Sequence, residues 1–83
     1  MFYVYLLESF ADKSWYIGYT KDLRKRFVSH NKGDNLATRN KKPWKLIYYE
    51  AYINITDAKK REEFLKSGSG RRFVKKQLTN YLA

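Results

Sequence analysis

Two aromatic and β-branched stretches, FYVYLLE (2–8) and WYIGY (15–19), are separated only by SFADKS, a run of turn-forming residues. Each is too short for a helix and rich in strand-favouring side chains, so the chain is expected to open with a β-hairpin. The pattern then changes. Thr20 is placed to cap a helix over 20–32, and Asp22 falls in its first turn, near the positive end of the helix dipole. Leu23 and Phe27 form an i,i+4 apolar stripe, and Gly33 can close the helix in a left-handed conformation.

The loop DNLATRNKKP is polar and basic, with Pro43 keeping Lys42 extended. WKLIYYEAYI (44–53) is the longest apolar run and lacks polar alternation, which predicts a central strand covered on both faces. Thr56 or Asp57 can cap a second helix from Ala58 to about Ser67, SGSG (67–70) breaks the chain, and RRFVKKQLTNYL reads as a third helix. The apolar side of that helix would carry Phe73, Val74, Gln77, Leu78 and Tyr81. The order is ββαβαα. It predicts an α/β chain of the α+β kind, with a three-stranded sheet flanked by helices in a single domain over residues 1–83.

Composition narrows the function. Lys and Arg number 18 against 8 Asp and Glu, a net charge of +10, which points to a polyanionic partner. The bases lie in Lys21–Lys32, Arg39–Lys45 and Lys59–Lys76, each interleaved with Phe, Leu or Trp, as on a folded basic face. Cysteine is absent, which removes disulfides, thiolate metal sites and thiol nucleophiles and suits a cytoplasmic setting. No stretch is long enough to span a membrane, and the N-terminal apolar run lacks the features of a signal peptide. There is no phosphate-binding G-x-x-x-x-G-K-[ST] loop, and a lone histidine without cysteine excludes the usual zinc clusters.

Several residues exceed what a plain core needs. Tyr5 and Tyr16 can share one side of the hairpin, and Gly18, at a strand end, marks a close approach by another backbone or a ligand. Arg26 and His30 stack at i,i+4 on the first helix. At about 100° per residue, Arg61 and Leu65 lie within roughly 60° of Ala58 on one side and Glu62 within roughly 40° on the other, so Glu62 borders the sheet-facing stripe. A carboxylate there can pair with Arg26, Arg61 or Lys66. It can also bind Mg²⁺, whose octahedron needs one or two carboxylates plus water and phosphate oxygens.

These residues resemble the GIY-YIG endonuclease domain, the nuclease fold of nucleotide excision repair and of some homing endonucleases, over nearly the whole chain. Tyr3–Val4–Tyr5 takes the place of the first motif and Tyr16–Ile17–Gly18 is the second. Arg26 follows the second-motif tyrosine at the family spacing. RFVSHN and AKKREEFLKSGSGRR resemble the small stand-alone branch, with Glu62 as the metal-binding glutamate. Tyr3 stands where the first motif usually has glycine, and Tyr19 where the repair nucleases carry lysine. The resemblance implies hydrolysis of a phosphodiester with Mg²⁺ or Mn²⁺ held by Glu62. Tyr16 would activate water, Tyr5 position it, Arg26 stabilise the phosphorane, and His30 assist proton transfer or orient a tyrosine. A tyrosine base, at an ordinary pKa of about 10, needs a cation beside it; Arg26, His30 and the metal are those at hand.

DNA is the expected substrate, in repair or recombination, with RNA left open and no membrane. Lys21, Arg24 and Lys25 on the first helix, Arg39, Lys41 and Lys42 in the loop, and Arg71 and Arg72 on the third helix would grip phosphates. The alternative is a basic nucleic-acid-binding module with little or no catalysis.

Overall fold

The computed structural model describes all 83 residues. Three antiparallel strands, β1 (Phe2–Ser9), β2 (Trp15–Thr20) and β3 (Trp44–Tyr52), form one sheet in the order β2-β1-β3. Helix α1 (Leu23–Lys32) lies between β2 and β3 in the chain, followed by a short 3₁₀ turn, Arg39–Lys41; after β3 come α2 (Ile55–Lys66), α3 (Gly68–Gln77) and the single turn α4 (Thr79–Leu82). This is the mixed architecture the sequence predicts. No helix is long and apolar enough to cross a membrane.

The alternation of β1 builds two cores. Val4 and Leu6 point to one side and pack with Ala58, Leu65 and Val74 of α2 and α3. Tyr5 and Leu7 point to the other side, with Trp44 and the Leu23–Phe27 stripe of α1. The central strand is therefore β1, not the longer apolar run of β3, which is an edge. Val4 through Ser9 are all buried, whereas Lys45, Tyr49 and Ala51 are exposed on β3. Much of the apolar appearance of β3 comes from tyrosine, whose hydroxyl tip stays polar. Tyr48 and Tyr52 both donate to Glu50 at 2.5 Å, and Arg61 of α2 donates to the same carboxylate through Nε at 2.7 Å and a terminal nitrogen at 3.0 Å.

Helix ends differ from the sequence expectation by a residue or more. Asp22, not Thr20, caps α1, accepting from Lys25 N–H at 3.0 Å, while the Thr20 hydroxyl accepts from Asp22 N–H at 3.1 Å. Asn54 caps α2 ahead of Thr56 and Asp57 by accepting from both their N–H groups. Gly33 does close α1 in the left-handed region, at φ 84°. SGSG does not separate two helices with a loop. Ser67 ends α2 and its hydroxyl accepts from Gly70 N–H at 3.1 Å, so α3 starts at once. The stripe of the third helix also breaks: α3 ends at Gln77, which is exposed, and α4 resumes after Leu78.

Gly70 sits where α3 crosses α2. A Cβ there would overlap the Phe64 carbonyl and the Leu65 Cα, backbone atoms that cannot step aside. Gly70→Ala is thus expected to destabilise by about 1–3 kcal/mol and lower the thermal midpoint by roughly 5–20 °C. A melt within a degree or two of wild type would show that the α2–α3 crossing yields easily.

Candidate active site

Pairing of β1 with β2 sets Tyr5 opposite Gly18 and Leu7 opposite Tyr16, so both tyrosines project from one side of the sheet. Gly18 lets the phenol of Tyr5 lie flat across β2: a Cβ at that position would strike its hydroxyl and Cζ. The close approach at Gly18 is thus made by the Tyr5 side chain, not by the backbone or ligand that the sequence suggests. The ring is 1% exposed, which leaves its hydroxyl no freedom to swing away.

That hydroxyl is 2.8 Å from Nε2 of His30, which α1 presents to the sheet, and Nδ1 of His30 is 2.8 Å from the Thr38 hydroxyl. His30 and Thr38 are both fully buried. The segment carrying Thr38 is pinned from two directions. The Trp44 indole N–H donates to the Thr38 carbonyl at 2.9 Å; Asn31 donates to the Trp44 carbonyl at 3.0 Å and accepts from its N–H at 2.5 Å. Nothing in the sequence singles out Thr38. It lies beyond the Gly33 turn in a polar loop, where no periodicity reveals which hydroxyl turns inward.

Burial, reinforced by the charge of Arg26, depresses the pKa of His30 below its ordinary 6.5, so near neutrality the imidazole is uncharged. This corrects one expectation: His30 is not a cation beside the tyrosines but a neutral link between two hydroxyls, one ring nitrogen donating and the other accepting. Because the unfolded chain takes up this proton first as pH falls, stability is full above pH 6.5 and drains away as pH drops through the folded value. His30 is the sole histidine. Thermal melts from about pH 7.5 down to about pH 5.5 should fall for wild type and stay level for His30→Gln; a flat wild-type profile contradicts the neutral buried imidazole.

The other candidates gather around the same phenol. Burial first, then the neighbouring Tyr16 and the Glu62 carboxylate, push the Tyr5 pKa up, while Arg26 pulls it down; the result is about 12. Tyr5 is accordingly a phenol, not a phenolate, near neutral pH. Tyr16 lies with its ring 6.4 Å from that of Tyr5, 5.0 Å from the imidazole and 6.3 Å from the Trp44 ring. No hydrogen bond joins its hydroxyl to the rest of the chain, and Tyr16 also contributes to the lining of a cavity of about 300 Å³ together with Lys66 and Arg71. Glu62 comes from α2 and pairs with Lys66 at 3.2 Å, one of the ordinary pairings the sequence allows. Nowhere do three or more acidic or imidazole side chains cluster.

The predicted phosphate-gripping residues are all exposed but do not form one strip. Lys21, Arg24 and Lys25 surround the start of α1, next to the tyrosine side of the sheet. Arg39, Lys41 and Lys42 follow Thr38; Lys41 pairs with Asp12 at 3.4 Å. Arg71 covers the Trp15 ring at 4.4 Å and reaches the cavity beside Tyr16. Arg72 instead donates to Ser69 on its own helix at 3.0 Å and lines none of the cavities, because it is turned away on the outer surface of α3.

A family profile described as the GIY-YIG catalytic domain matches residues 1–77. The chain belongs to the GIY-YIG family. Among its GIY-YIG relatives are UPF0213 proteins. One from Clostridium perfringens is 42% identical over 67 residues, covering 80% of this chain and 71% of that protein. One from Streptococcus pyogenes is 39% identical over 82 residues, covering 98% and 84%. The solution NMR structure of a UPF0213 protein from Bacillus halodurans superposes with a TM-score of 0.55 at 36% identity, covering 98% of this chain and 85% of that one. The names of these relatives carry no activity. The GIY-YIG assignment itself places the chain in a family of nuclease domains that act on nucleic acid.

Proposed function

We propose that this protein is a metal-dependent endonuclease that hydrolyses phosphodiester bonds in DNA. The observation that carries the reading is the buried Tyr5 hydroxyl fixed 2.8 Å from His30, with the Tyr16 ring 6.4 Å from its own ring and the charges of Arg26 and Glu62 acting on its ionisation. A core would have satisfied or excluded these groups.

Glu62 fits Mg²⁺ or Mn²⁺, since either ion can be held by one carboxylate with phosphate and water oxygens completing the shell; Lys66 would have to give way. Such an ion supplies Lewis-acid polarisation of the phosphate. The chain's own residues do the rest. Tyr5 donates through its hydroxyl and orients the attacking water, its ring held by Gly18 and His30. Tyr16 takes a proton from that water as its own proton leaves to solvent. The new P–O bond forms while the bond to the leaving oxygen breaks, and that oxygen collects a proton from solvent. Arg26 faces the charge that builds on the phosphoryl oxygens, where a fixed cation has its largest effect.

Binding would be electrostatic. If about five phosphates are neutralised, log K falls against log salt with a slope of roughly −4 to −5 on duplex. A salt-insensitive affinity removes nucleic acid as the partner. The test of function is nicking of supercoiled plasmid by purified protein in Mg²⁺, Mn²⁺ or chelator. Metal-dependent nicking is expected; salt-sensitive binding with no nicking under any condition would instead favour the binding-module alternative.

A further inference from the structure

We propose that Tyr3 and Tyr49 form a stacking site for one unpaired nucleobase flanking the phosphate at the catalytic centre. The location rests on the phosphodiesterase reading, and the proposal names its substrate class: a nucleic acid with an unpaired nucleotide beside the cleavage position.

Strand alternation puts Tyr3 on the side of Tyr5, and Tyr49 lies directly opposite Tyr5 in the β1–β3 register. Their rings meet edge-on, with centroids 6.1 Å apart at 61°. A flat group stacked on one ring therefore meets the other at its rim. Tyr49 is 53% exposed, with the first residues of α1, Leu23 and Arg24, beside it. The two rings line an open cavity of about 490 Å³, with Leu23 and Leu46 on its apolar side and Lys21, Arg24 and Asp22 on its polar side. The Asp22 carboxylate caps α1 and keeps its charge, and Lys21 and Arg24 outnumber it to leave the rim net positive.

An aromatic platform beside cations is what an exposed base and its phosphate require: the ring stacks on any base, and the cations hold the backbone. Tyr3 is two positions from Tyr5 on β1, about 7 Å along the strand, and the Tyr5 hydroxyl turns toward Gly18 of β2 while Tyr49 stands on β3, so the stacked base belongs to a nucleotide beyond the one at the Tyr5 hydroxyl. The base must be unpaired, because a base inside a duplex already has both faces covered by its neighbours and cannot enter a recess. The cationic rim and the position beside the phosphate-facing centre favour a nucleic acid over a protein side chain.

The test uses oligonucleotides carrying 2-aminopurine, either at a single unpaired position or within a full duplex, titrated with protein in chelator so that nothing is cut. Wild type should quench the unpaired probe. Tyr49→Ala should lose roughly 5- to 100-fold in affinity for it while leaving duplex affinity unchanged; Tyr49→Phe, which keeps the ring, should behave as wild type. The proposal is overturned if wild type and Tyr49→Ala bind the unpaired probe equally, or if Tyr49→Phe fails as badly as Tyr49→Ala. Quenching without metal-dependent cleavage would retire the nuclease reading and keep the stacking site. Cleavage without quenching would do the reverse.

Discussion

Glu62→Gln is expected to lose metal-dependent cleavage, by roughly 10³-fold or more, while binding DNA as well as wild type or better. The substitution keeps the length and shape of the side chain but removes the charge that would hold the divalent ion, and with it several kcal/mol of transition-state stabilisation. Affinity should not suffer, because a carboxylate near a phosphate-binding surface repels the substrate. Folding should change little: Glu62 is itself half-buried, but its pair with the exposed Lys66 is an i,i+4 contact at 3.2 Å, and pairs of that spacing contribute about 0.3–0.5 kcal/mol. Binding in chelator, melting and single-turnover cleavage on one preparation separate these effects. A Glu62→Gln protein that cuts at the wild-type rate in Mg²⁺ removes Glu62 from the centre.

Tyr16→Phe is expected to slow cleavage by roughly 10²–10⁴-fold if its hydroxyl carries the proton from water. Few substitutions isolate chemistry so cleanly. The ring keeps its packing against His30, Trp44 and Tyr5, and no side chain or backbone group of the protein depends on the hydroxyl for a hydrogen bond, so no partner is orphaned. The melting temperature should stay within a few degrees of wild type. A variant that both melts and cuts normally would return Tyr16 to the role of a packing aromatic, leaving Arg26 and Glu62 to account for any catalysis.

Much of the centre was legible because its spacing is carried by regular elements. Alternation on two short strands predicts that Tyr5 and Tyr16 can share a side, and the i,i+4 spacing of Arg26 and His30 predicts one helical face. What the sequence hides is set by burial. Whether His30 is charged depends on its enclosure by Tyr5, Thr38 and the turn that Asn31 and Trp44 hold shut, and none of that enclosure has a periodic signature. The centrality of β1 over β3 was masked for a related reason. A tyrosine counts as apolar in a pattern, yet Tyr48 and Tyr52 turn their hydroxyls to Glu50 while Tyr49 faces solvent. The caps shifted because Asp22 and Asn54 compete with equally suitable neighbours, and only the incoming backbone decides between them.

The two tyrosines are assigned opposite roles: Tyr5 a buried scaffold, Tyr16 a reacting group. One paired measurement tests this most directly, with Tyr16→Phe and Tyr5→Phe compared in single-turnover cleavage of a labelled DNA in Mg²⁺ and in thermal melts of the same samples. Removing the Tyr5 hydroxyl strands the Nε2 of buried His30, at a cost of about 1–3 kcal/mol, or roughly 5–20 °C in the melt. The predicted result is a crossed pattern, with Tyr16→Phe slow but stable and Tyr5→Phe unstable but the faster of the two. Equal losses of rate in both, or a Tyr16→Phe that melts early and cuts at the wild-type rate, would contradict it.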